Sequence, residues 1–179
     1  VINMLCERLG LDSEEAVNNF DGGLLKNFTQ FKWNVKNRNF SEAEKLAEEL
    51  KDVIQGTQSQ EILIQYDVYL FGLYVFTGQI EQSTIQYQKI HQTSIDLLSQ
   101  WPQTVFDYYY YLSLYLCAKE EFTKAMKCNE KLIGLMKLID IAEVEKGIIY
   151  YNQAWLYTHH RLYFQSIQVA RSAIESFEA

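Results

Sequence analysis

Hydrophobic and polar positions follow a helical period over most of this chain. Beyond a turn at 119–121, apolar or small side chains recur at helical spacing: Phe122, Ala125, Met126, Cys128, Leu132 and Ile133. The stretch 106–118 is crowded with tyrosine and leucine, which predicts a helix that contacts neighbours on more than one side. Neither helix can bury its apolar face alone. The two therefore predict a hairpin within a stack of hairpins.

The same pattern occurs four times along the chain. Each copy has a helix, a three-residue turn, a large side chain that opens a second helix, and a small side chain three residues later. The large and small residues are Phe40 and Ala43, Ile80 and Ser83, Phe122 and Ala125, and Tyr163 and Ser166. The small residues, at 43, 83, 125 and 166, are 40, 42 and 41 positions apart. Closely crossing helices require such a small residue, so we expect four helical hairpins.

Two breaks are predicted between these elements. Paired glycines lower helix stability and permit turns, so we expect a break at Asp21-Gly22-Gly23. We place a domain boundary there, with residues 21–23 as linker and 24–179 as the repeat domain. The second break is at Trp101-Pro102, because proline disfavours helix at the residue before it. The preceding helix is expected to run from Ile80 to Ser99, and the next one to begin at Phe106.

Composition and charge argue against disorder, a membrane span and nucleic-acid binding. The chain has 179 residues, with one proline, eight glycines and 48% hydrophobic residues, which favours ordered helices over disorder. No apolar run reaches membrane-spanning length. The formal net charge of −7 argues against nucleic-acid binding by these residues, because neutralising phosphates requires clustered lysine and arginine. A cationic or neutral peptide is the better partner.

Cysteines and histidines give no sign of metal or catalytic chemistry. Cys6, Cys117 and Cys128 are odd in number and lack CxxC spacing, so neither a disulfide framework nor a zinc site is expected. His159 and His160 are adjacent, and on a helix they point about a hundred degrees apart. We therefore expect no enzyme activity, no metal and no cofactor. Because no signal peptide is visible, we expect a cytoplasmic protein with reduced thiols.

The residues around each turn resemble the tetratricopeptide repeat. Tyr74, Leu116 and Tyr157 lie where its consensus has a tyrosine, and Ala154 where it has a small residue. The period is longer than the consensus, and the W-x-x-L-G-x-x-Y signature is largely missing. This resemblance implies an all-α fold, a right-handed solenoid of about four degenerate tetratricopeptide-like helical hairpins.

The run I-x-x-L-C-x-x-L-G-L-D, from Ile2 to Asp12, resembles the end of a Cro-type helix-turn-helix domain. Residues 1–20 are interpreted as that end, or alternatively as a pair of helices that caps the stack. Degenerate repeats behind such a domain resemble the peptide-pheromone-sensing regulators of Gram-positive bacteria, the Rap/Rgg/PlcR/PrgX group. The resemblance implies a cytosolic homodimeric transcription regulator, whose repeats bind a short signalling peptide in their concave groove. It also implies DNA binding only through a helix-turn-helix domain mostly absent from this chain, and no membrane association.

Two alternatives stay open. One is a repeat scaffold that holds a protein partner and has no DNA-binding role. The other is a Rap-like regulator that inhibits a response regulator, although the N-terminal helical bundle expected of it is not seen in the sequence.

If the repeat register holds, the inner face of each first helix can be named. The expected peptide-binding residues are Gln65, Tyr69, Asp107, Tyr110, Tyr111, Tyr151, Asn152, Trp155 and His159. Side-chain amides can hydrogen-bond the backbone of an extended peptide, and rigid rings can receive its apolar side chains. Core packing is the competing interpretation for each tyrosine, and Asp107 could instead cap a helix that begins at Phe106. The sharpest prediction is Asn152 and Trp155, because packing alone gives less reason for an amide and a bulky ring there.

Overall fold

In the computed structural model the described residues are 13–57, 59–92 and 100–179, with side chains described from residue 22 onward. These ranges contain eight α-helices and no strand, which confirms the all-α class. The helices are α1 (Ser13–Lys36), α2 (Phe40–Gln55), α3 (Gln60–Phe76), α4 (Ile80–Gln92), α5 (Pro102–Ala118), α6 (Phe122–Leu135), α7 (Glu143–His159) and α8 (Tyr163–Glu178). They form the four predicted hairpins, α1/α2, α3/α4, α5/α6 and α7/α8. None of these helices is both long and apolar enough to cross a membrane.

All four hairpins turn in the same way. The residue two positions before each second helix has a positive φ: Arg38 at 58°, Gly78 at 71°, Glu120 at 59° and Arg161 at 59°. The N–H of the next residue donates to the carbonyl five residues back, as from Glu121 to Leu116 at 2.8 Å and from Leu162 to Tyr157 at 2.9 Å. This is the Schellman motif that closes the C-terminus of a helix. Because the motif recurs at each copy, the predicted repeat register is confirmed.

The small residue after each turn marks a close approach of two helices. Ala43, Ser83 and Ala125 are fully buried, and the Ser166 hydroxyl donates to the Ala154 carbonyl across the α7/α8 hairpin at 2.8 Å. The large residue is less uniform, since Ile80 and Tyr163 are 41% and 59% exposed. The crossing of the helices therefore depends on the small position more than on the large one.

The chain divides into two compact units, Val1–Tyr66 and Asp67–Ala179. In the first, Phe28, Phe31 and Val35 on α1 are buried, and the Tyr66 hydroxyl donates to the Ala47 carbonyl at 2.8 Å. This packing belongs to the α1/α2 hairpin and to the first turns of α3.

The predicted break at 21–23 is wrong, because α1 continues through it from Ser13 to Lys36. A glycine costs a helix only about 1 kcal/mol, and burial of the apolar face further along α1 outweighs that cost. The domain boundary and linker proposed there stay predictions. The first predicted helix, in residues 1–12, lies outside the described residues.

In the second unit, α5 is central. Its residues Tyr108 and Tyr115 pack on Phe71 of α3, and Tyr115 also stacks on Tyr87 of α4. Phe106 joins a buried cluster with Leu132, Met136, Ile141 and Ile149. The start predicted for α5 at Phe106 is wrong, since the helix begins at Pro102, where the fixed φ of proline suits the first helical position. Asp107 is therefore inside the helix, and the capping alternative is wrong as well. The predicted continuation of α4 to Ser99 falls on 93–99, outside the described residues.

Candidate functional site

An open pocket of about 250 Å³ lies between α5 and α7, the first helices of two successive hairpins. Its lining residues are Ser113, Leu114 and Cys117 from α5, and Tyr151, Asn152 and Trp155 from α7. On α7 these side chains share one face, since 151 and 155 are four residues apart and 152 and 155 are three apart. The opposite face of α7 is buried through Ile149, Gln153 and Leu156. Burial of that face orients the pocket face outward.

Two neighbouring rings hold Trp155 in place. Its indole packs edge-on against Phe122, with ring centroids 5.6 Å apart, and His159 lies 4.0 Å from the indole. His159 in turn stacks on Phe122 at 4.5 Å. Trp155 is nevertheless 40% exposed, so part of the indole remains accessible at the pocket. A ring already fixed by its neighbours loses little entropy when a ligand packs on it.

Asn152 brings a side-chain amide with unused hydrogen-bonding capacity to the pocket. It is half-buried, and its amide makes no hydrogen bond to any residue that the structure describes. A side-chain amide can both donate and accept, which matches the N–H and C=O of a peptide unit. The Ser113 hydroxyl is already used, since it donates to the Ala125 carbonyl at 3.4 Å.

The pocket carries no charged side chain. Burial, with a smaller contribution from Cys128, raises the pKa of the Cys117 thiol to about 11, so this thiol is neutral at physiological pH. A neutral, mainly apolar pocket beside one amide favours an apolar ligand side chain whose adjoining backbone is polar.

Three of the predicted peptide-binding residues, Tyr69, Asp107 and Tyr111, are buried together between α3 and α5. The Tyr69 hydroxyl donates to Asp107 Oδ2 at 2.6 Å, and the Tyr111 ring lies edge-on to the Tyr69 ring at 6.0 Å. Burial, followed by the Asp107 charge, raises the pKa of both tyrosines well above 10. Gly72 makes room for the Tyr111 ring, since a Cβ there would lie 2.6 Å from it. These side chains pack the helices together and are not accessible at the pocket.

Tyr110 and Gln65 lie apart from the pocket lining. Tyr110 is half-buried and contacts Phe76, with ring centroids 6.3 Å apart. Gln65 belongs to the unit Val1–Tyr66, where Lys32 Nζ donates to its Oε1 at 2.9 Å and its amide donates to Glu61 at 2.9 Å. Of the nine predicted residues, the structure therefore brings Tyr151, Asn152 and Trp155 together at the pocket, with His159 supporting the indole.

Four contributors to this site are absent from the nine predicted residues. Ser113 and Cys117 line the pocket together with Leu114, and none of these α5 residues was among the nine predicted ones. Phe122 was assigned only to the repeat register, yet its ring supports Trp155. The available signal was the spacing of three residues between Leu114 and Cys117, which places both on one side of a helix.

No protein-family profile and no curated protein matches this sequence significantly. Two solved structures share its fold. The apo form of RapI superposes with a TM-score of 0.72 at 18% sequence identity, covering 87% of this chain and 43% of RapI. NprR in complex with its cognate peptide NprX superposes with a TM-score of 0.71 at 16% identity, covering 89% of this chain and 45% of NprR.

The chain thus spans less than half the length of either protein. At this level of identity the likeness shows the fold. For the fold alone, it confirms the predicted resemblance to the group that includes the Rap proteins. The helix-turn-helix resemblance of residues 1–20 stays a prediction.

Proposed function

We propose that this chain is the peptide-sensing domain of a cytosolic quorum-sensing transcription regulator. A short signalling peptide binds along the first helices of the last two hairpins, α5 and α7, and one of its apolar side chains enters the pocket between them. Asn152 hydrogen-bonds the peptide backbone, and Trp155 packs on the inserted side chain. Tyr151, exposed at the rim, extends this aromatic surface.

One observation carries the proposal: the amide of Asn152 and the accessible indole of Trp155 meet at a neutral pocket formed by two successive first helices. The pocket volume of about 250 Å³ suits one or two peptide side chains. The fold shared with NprR, which was solved with its peptide NprX, supports the same conclusion.

Substitution of the two residues tests the site. Short synthetic peptides are first screened in pools for binding, and the tightest binder is titrated by calorimetry. We expect Asn152→Ala to weaken that peptide about 5- to 150-fold, because unpaired peptide groups cost about 1–3 kcal/mol. We expect Trp155→Ala to weaken it about 30-fold, as for a loss of about 2 kcal/mol at an aromatic anchor.

Matched controls come from α8. Gln165→Ala removes an exposed amide and Phe164→Ala an exposed ring, both outside the pocket lining, and neither is expected to alter affinity. Circular dichroism should show unchanged helical content in all four variants. Equal peptide affinity in wild type, Asn152→Ala and Trp155→Ala would contradict the site.

The regulator part of the proposal rests on the resemblance of residues 1–20 and on the predicted homodimer. The alternative is a repeat scaffold for a protein partner, without a DNA-binding role. The sequence encoded before Val1 distinguishes them: a helix-turn-helix domain there would support the regulator, and a start codon directly upstream would exclude it.

A further inference from the structure

A second pocket, of about 310 Å³, lies among α4, α5 and α6 in the unit Asp67–Ala179. Its lining residues are Tyr87 from α4, Leu112, Tyr115 and Leu116 from α5, Glu121 from the turn, and Lys124, Lys127 and Cys128 from α6. Its α5 residues, 112, 115 and 116, point roughly 150° away from residues 113, 114 and 117 of the first pocket, at 3.6 residues per turn. The two pockets therefore lie on different sides of α5.

Stacked rings make the second pocket rigid and flat on one side. Tyr87 stacks on Tyr115 with centroids 5.6 Å apart, and it stacks on His91 at the same distance. The Tyr115 hydroxyl and the Thr84 hydroxyl share a hydrogen bond of 2.9 Å, which fixes the tilt of the ring. Phe71 supports both tyrosines from below, at 6.4 and 5.5 Å. A fixed aromatic surface of this kind favours a ring or a long apolar group from a ligand.

The rim of the second pocket is cationic, although the chain as a whole has a formal charge of −7. Two lysines and one glutamate line it. Lys124 forms an ion pair with Glu121, whereas Lys127 forms no ion pair in the described part of the chain. A third cation, Lys119, lies 5.7 Å above the Tyr115 ring. The charge available to a ligand at this pocket is therefore positive.

We propose that the pocket among α4, α5 and α6 is an anchoring site for an acidic segment of a partner protein. One aromatic side chain of that segment packs on the half-buried Tyr87, whose ring the buried Tyr115 supports, and a carboxylate beside it pairs with Lys127. The volume admits one large side chain, and the open, charged rim suits a peptide chain that continues across the surface. This site does not depend on the peptide pocket between α5 and α7.

A set of three capped pentapeptides tests the proposal. The probe is Glu-Glu-Phe-Glu-Glu; one matched probe replaces its glutamates with glutamine, and the other replaces its phenylalanine with alanine. Binding is followed by NMR of the ¹³C-labelled methyl groups of Leu112 and Leu116 at low ionic strength. We expect the acidic phenylalanine probe to shift these resonances saturably, and each matched probe to bind at least about fivefold more weakly.

Substitutions separate the rim from general charge effects. Lys127→Ala should weaken the probe about two- to fivefold, while Lys137→Ala, an equal charge change at an exposed residue outside the pocket, should not. Asn152→Ala should leave probe binding unchanged, which distinguishes this site from the peptide pocket. Equal binding of all three probes, or absence of shifts at Leu112 and Leu116, would overturn the proposal. Shifts that depend on protein concentration without probe would also overturn it, because a second copy of the chain would then fill the pocket.

Discussion

Gly72 and Gly147 provide a matched test of how rigid the two sides of the second unit are. At both positions an added Cβ would lie 2.6 Å from an aromatic ring: Tyr111 at Gly72, and Phe177 at Gly147. Ordinary carbon contacts are about 3.5–4 Å, so one partner must move. Tyr111 is 1% exposed and enclosed by other rings, whereas Phe177 is 51% exposed near the end of α8. Only Phe177 is free to rotate away.

The expected magnitudes follow from two opposing effects. Replacing glycine by alanine inside a helix stabilises it by about 1 kcal/mol, whereas overpacking a buried ring costs about 1–3 kcal/mol. Because the Tyr111 ring cannot move, the overpacking cost at Gly72 falls in the upper part of that range, about 2–3 kcal/mol, so Gly72→Ala should lower the free energy of unfolding by about 1–2 kcal/mol net. Gly147→Ala should be neutral or raise it by up to about 1 kcal/mol. Gly134, whose added Cβ would meet nothing within 4 Å, is the positive control and should stabilise the protein.

Urea unfolding followed by circular dichroism measures all three variants. The double variant Gly72→Ala/Tyr111→Leu supplies the coupling, since removing the ring should reduce the cost of the alanine. Wild-type stability or better in Gly72→Ala would refute the reasoning, as would a cost that is unchanged without the Tyr111 ring.

Two further predictions concern buried polar groups and thiols. Tyr69→Phe removes the hydroxyl that donates to Asp107, and should lower the free energy of unfolding by about 1.5–3 kcal/mol in urea titration; an unchanged value would mean that this hydrogen bond contributes nothing. In a Cys6→Ser background, alkylation of Cys117 and Cys128 by iodoacetamide at pH 8 should be about a hundredfold slower in the folded protein than in urea, because burial raises both pKa values from 9.0 to about 11. The raised pKa values also mean that the stability contributed by these neutral thiols is present below pH 9 and is lost between pH 9 and 11. Equal alkylation rates in the folded and unfolded protein would contradict both the slower alkylation and this pH dependence.

The hairpin register was predictable because it depends on local chemistry. Ala125 and its equivalents are small where helices cross, and this requirement leaves a periodic mark in the sequence. The positive φ at Arg38, Glu120 and Arg161 left no such mark, since only Gly78 uses the residue that this conformation favours. The period identified the turns even where the turn residue itself did not.

The break expected at Asp21-Gly22-Gly23 shows the limit of local signals. Paired glycines reduce helix propensity by an amount that is small beside the burial of Phe28, Phe31 and the rest of the apolar face of α1. Whether paired glycines interrupt a helix depends on how much apolar surface that helix buries against its neighbours, and the residues around the glycines do not encode this.

The sequence by itself determined the all-α class, the four hairpins and the face of α7 that carries Asn152 and Trp155. These follow from helical periodicity, which is a property of neighbouring residues along one chain. Only the tertiary structure decided that Tyr69 and Tyr111 are buried in the packing of α3 on α5, while Trp155 remains accessible at a pocket. Periodicity gives the direction of a side chain on its own helix, but its accessibility depends on which other helix lies opposite.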